Sequence, residues 1–199
     1  MLARLNGLIV ECSSTWQKFL IVFVVFVGSL LILQRLSNEF PAVSGGVPPF
    51  DMQNALTPAE IFQQLNGYTD QAFDLYIIFQ AVDFVFPFFA SLTIASLCAF
   101  ALRNFSIDLY KAFLARKYFI LLMMPAVFDY LENINLLWVV NTWPQQVEIA
   151  ANLAVASKIG KLTTMTLAFI VTALLLLGAA GTWITRRSST PDQAEENGD

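Results

Sequence analysis

Long apolar segments alternate with short polar ones along the chain, and four apolar segments cover about residues 17–36, 74–102, 118–140 and 162–184. A helix that crosses the hydrocarbon core of a membrane needs about 20 predominantly apolar residues. The second and fourth segments reach this length unaided, and the first reaches it when Trp16 and Lys18 lie at the interface. The third reaches it only with Asp129 and Glu132 inside. The pattern predicts an all-α, polytopic membrane protein with four transmembrane helices.

The composition agrees with a membrane protein. Of the 199 residues, 57% are hydrophobic and 13% are charged, against roughly 45–50% and 25% in an average soluble domain. The chain has no histidine, which excludes imidazole catalysis and histidine-ligated metal sites, and two cysteines are too few for a disulfide framework. Because the net charge is -4, we expect no nucleic-acid partner. We also predict no cofactor and no metal site.

We predict a single transmembrane domain over residues 1–187 and an acidic, disordered tail over residues 188–199. A cleaved signal peptide is the alternative interpretation of the first apolar segment. However, the lead over residues 1–18 is long, Arg35 follows the apolar run directly, and no small-residue cleavage site stands there. The first segment is therefore predicted to remain as a transmembrane helix.

The lysines and arginines predict the orientation of the helices. Eight of the eleven precede the first span, lie between the second and third, or follow the fourth, whereas Arg35, Lys158 and Lys161 lie at the opposite ends. The connection over residues 36–74 contains no lysine or arginine. Because cytoplasmic segments carry the excess of positive charge, we predict that both termini are cytoplasmic and that this connection forms a long outer loop.

The outer loop contains the signals of a short helix. Thr57 and Glu60 have the spacing of a capping box. Ile61, Phe62 and Leu65 give the segment that follows an apolar face. We predict an amphipathic helix of about ten residues that lies on the outer membrane surface.

Polar side chains form a stripe on each of the two central spans. A charged side chain in the hydrocarbon region is costly, so it normally faces the interior of the helix bundle and finds a partner there. The spacing of three or four residues places the polar residues of each span on one helical face. The residues are Tyr76, Gln80 and Asp83 in the second span, and Asp129, Glu132 and Asn133 in the third.

Depth in the membrane connects the two stripes. Asp83 and Glu132 each lie about eight residues, or ~12 Å, from the outer edge of their spans, and Asp129 lies about eleven residues from it. Antiparallel neighbouring spans would therefore bring the three acids to nearly one level. Lys158 and Lys161 are the outward cations nearest to that level. We predict a ligand-binding site formed by the six polar residues of the two stripes, with these lysines as charge partners.

A structural role is the alternative for these residues. Intramembrane acids and asparagines also hold helices together through interhelical hydrogen bonds. Pro87 and Pro125 lie inside predicted spans, and we expect them to kink helices rather than to bind a ligand.

Three motifs carry a resemblance to known proteins. The sequences PFDMQ at residues 49–53, DFVFP at 83–87 and FDYLEN at 128–133 resemble a group of small bacterial four-span membrane proteins with an Asp-x-x-Glu-Asn signature. This resemblance covers roughly residues 15–185 and implies a multi-pass protein of the cell (inner) membrane, without implying an activity. More faintly, the four spans, the long first outer connection and the acid ahead of a Phe-Pro step are similar to the sterol-isomerase-like EXPERA group. No catalytic residue is carried over from that group, because this chain lacks histidine.

Three classes of function remain open from the sequence. The first is a binding module that holds a lipid or another hydrophobic small molecule against the intramembrane acids. The second is a component of proton- or ion-coupled transport, which would need to form a homo-oligomer because four spans contain no internal repeat. The third is a lipid-modifying, isomerase-like enzyme, which the scarcity of other catalytic groups disfavours. We expect membrane lipids as partners in every case.

Overall fold

The computed structural model describes residues 2–188, without the side chains of residues 186–188, and its regular elements are all helices. Short 3-10 turns cover Phe40–Ala42, Phe50–Met52 and Tyr118–Met123. The prediction of an all-α protein is confirmed, and the predicted disordered tail lies almost wholly outside the described residues. The α-helices are α1 (Leu2–Cys12), α2 (Trp16–Glu39), α3 (Pro58–Leu65), α4 (Asp70–Asp83), α5 (Phe86–Phe105), α6 (Ile107–Arg116), α7 (Met124–Thr142) and α8 (Glu148–Ser188).

Within the described residues, four helical segments are long and apolar enough to cross a membrane, as predicted. They are Trp16–Ala42, Asp70–Phe105, Tyr118–Thr142 and Glu148–Thr185. The helix of the fourth span, α8, begins at Glu148 rather than near residue 162. The apolar run did not reveal this extension, because Lys158 and Lys161 interrupt it while their side chains turn into the bundle.

The second span is broken rather than continuous. Helix α4 ends at Asp83, and α5 begins at Phe86 with Pro87 in its first turn. Proline has no amide hydrogen, and its ring clashes with the carbonyl group four residues earlier, which here is that of Asp83. Pro125 occupies the first turn of α7, directly after a 3-10 turn. Both prolines therefore begin new helices instead of kinking continuous ones.

Helix α5 is central to the bundle, because it packs against α2, α7 and α8, and α7 packs along α8. Glycine permits the close approach of α7 and α8, since a Cβ atom on Gly160 would lie 2.6 Å from the ring of Phe128. The outward faces of α2 and α8 carry exposed apolar side chains such as Ile21 and Leu177. These faces are suited to contact with lipid.

Two hydrophobic cores occupy the two ends of the bundle. We call the end with the connection over residues 40–69 the loop side; its core includes Phe40, Phe50, Ile61, Tyr68 and Val139. The opposite end, the terminal side, has a core that includes Ile9, Leu92, Cys98, Leu102 and Phe119. Helix α1 and the ends of α5 and α8 meet on the terminal side, where Arg103 donates to the carbonyl oxygen of Ser13 at 3.1 Å and Thr182 to that of Asn104 at 3.4 Å.

Helix α3 starts as predicted but lies in a different place. Thr57 and Glu60 form a complete capping box. The apolar face of Ile61, Phe62 and Leu65 is buried in the loop-side core instead of lying on the membrane surface. The physical reason is that the loop folds back over the bundle, so that the face meets protein side chains.

Candidate functional site

A cluster of buried polar side chains separates the two hydrophobic cores, and we call it the acidic cluster. It contains all eight residues that the sequence predicted and one acid that it did not. Seven of the eight predicted residues are buried, and Lys161 is half-buried. The members of the acidic cluster are Asp51 of the loop, Tyr76, Gln80 and Asp83 of α4, Asp129, Glu132 and Asn133 of α7, and Lys158 and Lys161 of α8.

Asp83 joins α4 to α7 at the break in the second span. Because Pro87 cannot donate an amide hydrogen, the main-chain carbonyl oxygen of Asp83 lacks its helical partner. The side-chain amide of Asn133 donates to this oxygen at 3.4 Å and to the Asp83 carboxylate at 3.0 Å. The proline thus creates an unpaired acceptor inside the bundle, and an asparagine on the neighbouring helix satisfies it.

Glu132 faces α8 rather than α4. Its carboxylate lies 2.9 Å from the Nζ atom of Lys158 and also pairs with Lys161, which in turn lies 3.3 Å from Asp129. The two acids are three residues apart on α7 and the two lysines three residues apart on α8, so the pairs face each other across the closely packed helices. Asp83 does meet the polar face of α7, but its hydrogen-bond partner on that face is Asn133 rather than one of the two acids.

The loop closes the acidic cluster. Lys158 donates to the carbonyl oxygens of Phe50 and Gln53 at 2.7 Å each. One carboxylate oxygen of Asp51 accepts hydrogen bonds from the Tyr76 hydroxyl and the Gln80 amide, both at 2.8 Å.

Asp51 is the functional candidate that the sequence reasoning missed. Within the loop it stands between Phe50 and Met52, two residues after a pair of prolines. An acid in such an apolar turn was the available signal. Its depth in the bundle depends on how the loop folds.

The acidic cluster has more negative than positive groups. Four carboxyl groups share two lysines, and among the described residues neither Asp51 nor Asp83 has a cation within ion-pair distance. Three buried acceptor oxygens also have no hydrogen-bond donor: Oδ1 of Asp51, Oε1 of Gln80 and Oδ1 of Asn133. Unsatisfied buried acceptors and unpaired buried charges are costly. The arrangement is therefore suited to a proton or a small cationic donor.

One small cavity borders the acidic cluster at Glu132 and Lys158. This cavity of about 10 Å³ lies against Phe50, Leu136, Glu132 and Lys158. That volume holds about one water molecule, whereas pockets for drug-sized ligands measure roughly 300–1,000 Å³. Within the described part of the chain, no three acids converge in the manner of a metal site.

Comparisons with protein families, with curated proteins and with solved structures find no match to this chain. The resemblance to small bacterial four-span proteins and to the EXPERA group therefore stays a prediction from the three motifs.

Proposed function

We propose that this multi-pass membrane protein takes up and releases a proton in the acidic cluster, as a component of proton- or ion-coupled transport. The observation that supports this most is the state of Asp83. Asp83 is 5% exposed and has no cation within ion-pair distance among the described residues. It accepts a hydrogen bond from the buried amide of Asn133, whose own oxygen has no donor. The buried side-chain oxygen of Gln80, one turn earlier on α4, has no donor either.

A proton on Asp83 resolves two costs at once. It removes an unpaired buried charge, and it supplies an O–H donor to the surplus of acceptor oxygens nearby. Glu132 has no such need, because two lysines already neutralise it. Asp83 is therefore the exchanging group, and Glu132 is a fixed member of an ion-pair network.

The small cavity beside Glu132 and Lys158 favours this function over the binding of a lipid among the acids. A cavity of about 10 Å³ accommodates water and not the head of a lipid. The network of Lys158, Lys161, Asp129 and Glu132 accounts for a structural role of α7 and α8, but it does not explain why Asp83 remains without a cation. Proton binding explains both the small size of the cavity and the lack of a cation beside Asp83.

The structure also bears on the orientation that we propose, with the terminal side in the cytoplasm of a cell (inner) membrane protein. Lys158 and Lys161, which counted against this orientation, are engaged in buried ion pairs. Arg35 is then the remaining lysine or arginine among the described residues of the loop side, and it pairs with Glu39 at 3.2 Å. The described basic residues of the terminal side are Arg4, Lys18, Arg103, Lys111, Arg116 and Lys117. This asymmetry follows the positive-inside rule.

Infrared difference spectroscopy of the purified protein tests the proposal, because it detects protonated carboxyl groups directly. We expect a protonated carboxyl signal at neutral pH in the wild type. Asp83→Asn, which keeps the shape and the acceptor oxygen, should remove that signal with little change in melting temperature. Asp108→Asn, an exposed acid on α6, is the matched control and should retain it.

Proteoliposomes with an internal pH-sensitive dye complete the test. The wild type and Asp108→Asn should take up protons when a pH gradient is imposed, and Asp83→Asn should not. If the wild type shows no protonated carboxyl group and no pH-dependent change in its spectrum, proton binding is excluded. The acidic cluster would then serve only to hold the helices together.

A further inference from the structure

An apolar groove runs along the outside of the bundle, and none of its lining residues belongs to the acidic cluster. Two adjoining hollows of about 270 and 280 Å³ form it. Together they fall within the roughly 300–1,000 Å³ of ligand pockets. Leu121, Leu122 and Val171 line both hollows, so the groove is continuous between the start of the third span and α8. Thr164 marks its far end, seven residues or ~10 Å along α8 from Val171.

Cations stand at the terminal-side mouth of this groove. Tyr118 lines the mouth, and the Arg116 guanidinium lies 5.9 Å from the centre of its ring and donates to its hydroxyl at 3.4 Å. Lys117 follows in a left-handed conformation, with φ of 59°, at the turn that ends α6. Both basic residues are exposed, and neither has a carboxylate within ion-pair distance among the described residues.

The charge and the shape of this site point to one occupant. We propose that Arg116 and Lys117 bind the phosphate of an anionic phospholipid, one of whose acyl chains lies in the groove lined by Leu121, Leu122 and Val171. The groove runs roughly along the bundle, which is the direction of a lipid chain, and the cations lie at the end where the headgroup would be. Helix α6 holds them there, because the rings of Tyr110 and Phe113 pack against the ring of Phe119.

This site is independent of the acidic cluster and of the proposed proton uptake. None of its lining residues belongs to that cluster, and its charge is of the opposite sign. A basic residue near a membrane surface contributes about fivefold to the affinity for an anionic lipid. Two cations therefore favour an anionic over a zwitterionic headgroup.

Native mass spectrometry of the detergent-solubilised protein measures the binding, with dioleoylphosphatidylglycerol and dioleoylphosphatidylcholine as the two probes. The wild type should prefer phosphatidylglycerol. Arg116→Gln combined with Lys117→Gln should weaken phosphatidylglycerol binding by about 25-fold and leave phosphatidylcholine binding nearly unchanged. Lys111→Gln removes a cation from the other face of α6 and should have no effect.

A second pair of variants tests the groove with the charges intact. Val171→Phe fills it from a position that is 41% exposed, so the core is not disturbed, and it should weaken phosphatidylglycerol binding. Ile170→Phe places the same ring on the neighbouring, 51% exposed position outside the groove and should not. If Lys111→Gln and the double variant lost phosphatidylglycerol affinity equally, the lipid would be attracted only by the general positive charge of this surface. That result, or full binding by Val171→Phe, would overturn the proposal.

Discussion

Lys158 on α8 and Glu132 on α7 form a buried ion pair of 2.9 Å, with the two side chains 8% and 0% exposed. The same ammonium group donates to two carbonyl oxygens of the loop, more than 100 residues earlier in the chain. One lysine therefore neutralises a buried acid and fastens the loop over the acidic cluster. Removing it should have two separable effects.

The first effect concerns stability. Lys158→Met leaves Glu132 with one lysine and should lower the free energy of unfolding by about 3 kcal/mol, because breaking a buried pair leaves uncompensated charge. Adding Glu132→Gln to this variant should restore part of the loss. Denaturant unfolding in detergent measures both. The exposed pair of Lys18 and Glu11 is the control, and Lys18→Met should lower the free energy of unfolding much less than Lys158→Met does. Equal losses of stability in the two lysine variants would contradict a special role for burial.

The second effect concerns the loop. In Lys158→Met, the carbonyl groups of Phe50 and Gln53 lose their charged donor. Hydrogen exchange of the peptide covering residues 43–56 should then become faster, measured by mass spectrometry under native conditions. Lys161→Met, which has no hydrogen bond to the loop among the described contacts, should leave that peptide protected. Equal exchange in both variants would mean that the lysine does not fasten the loop.

The contact of α7 with α8 depends on a missing side chain. A Cβ atom on Gly160 would lie 2.6 Å from the Phe128 ring, so Gly160→Ala should destabilise the protein by about 1–3 kcal/mol. Phe128→Leu in the same chain should recover part of this loss. Gly181→Ala is the control, because nothing lies within 4 Å of the added atom. A melting temperature unchanged by Gly160→Ala would show that the helices are not in close contact here.

The capping box of α3 should make that helix sensitive to acid. Hydrogen bonds from the main-chain amide and then the hydroxyl of Thr57 hold the pKa of Glu60 below its ordinary value of 4.5. A lowered pKa in the folded state stabilises the helix above pH 4.5, and this contribution disappears as the pH falls through the folded value. Exchange protection of α3 should therefore decrease on acidification. Glu60→Gln should abolish most of that pH dependence; if it remains, another group is responsible.

The proposed orientation is tested by cysteine labelling from one side of the membrane. Ala55 is an exposed residue of the loop and is suitable for labelling. Ser44, in the same loop, is 1% exposed, so a cysteine there would not be accessible to the reagent. Ala55→Cys in intact cells should react with a membrane-impermeant maleimide. Lys111→Cys on α6 should react only after the cells are permeabilised. The native Cys12 and Cys98 are buried and should contribute little background. The reverse pattern would invert the orientation.

The sequence alone predicted most of the secondary structure and much of the acidic cluster. Runs of apolar residues predict spans because a helix in lipid must be apolar over a fixed length, and the spacing of three or four residues predicts which polar residues share a face. In this way the sequence predicts that Tyr76, Gln80 and Asp83 share one face of the second span, and that Asp129, Glu132 and Asn133 share one face of the third. The capping box of α3 is equally local, since Thr57 and Glu60 are three residues apart.

Only the tertiary structure decided which of these residues pair. Local periodicity says which face a residue occupies, but not which neighbour that face meets or where a distant loop folds back. The sequence therefore did not predict that Asp51 belongs to the acidic cluster, because its hydrogen bonds are with Tyr76 and Gln80, 25 and 29 residues away. The two lysines of α8 were predicted as charge partners, but only the fold shows that they pair with Glu132 and Asp129. Among the described residues, Asp51 and Asp83 have no cation within ion-pair distance. A buried charge is stabilised or left unpaired by contacts across the fold, and no segment of the sequence contains those contacts by itself.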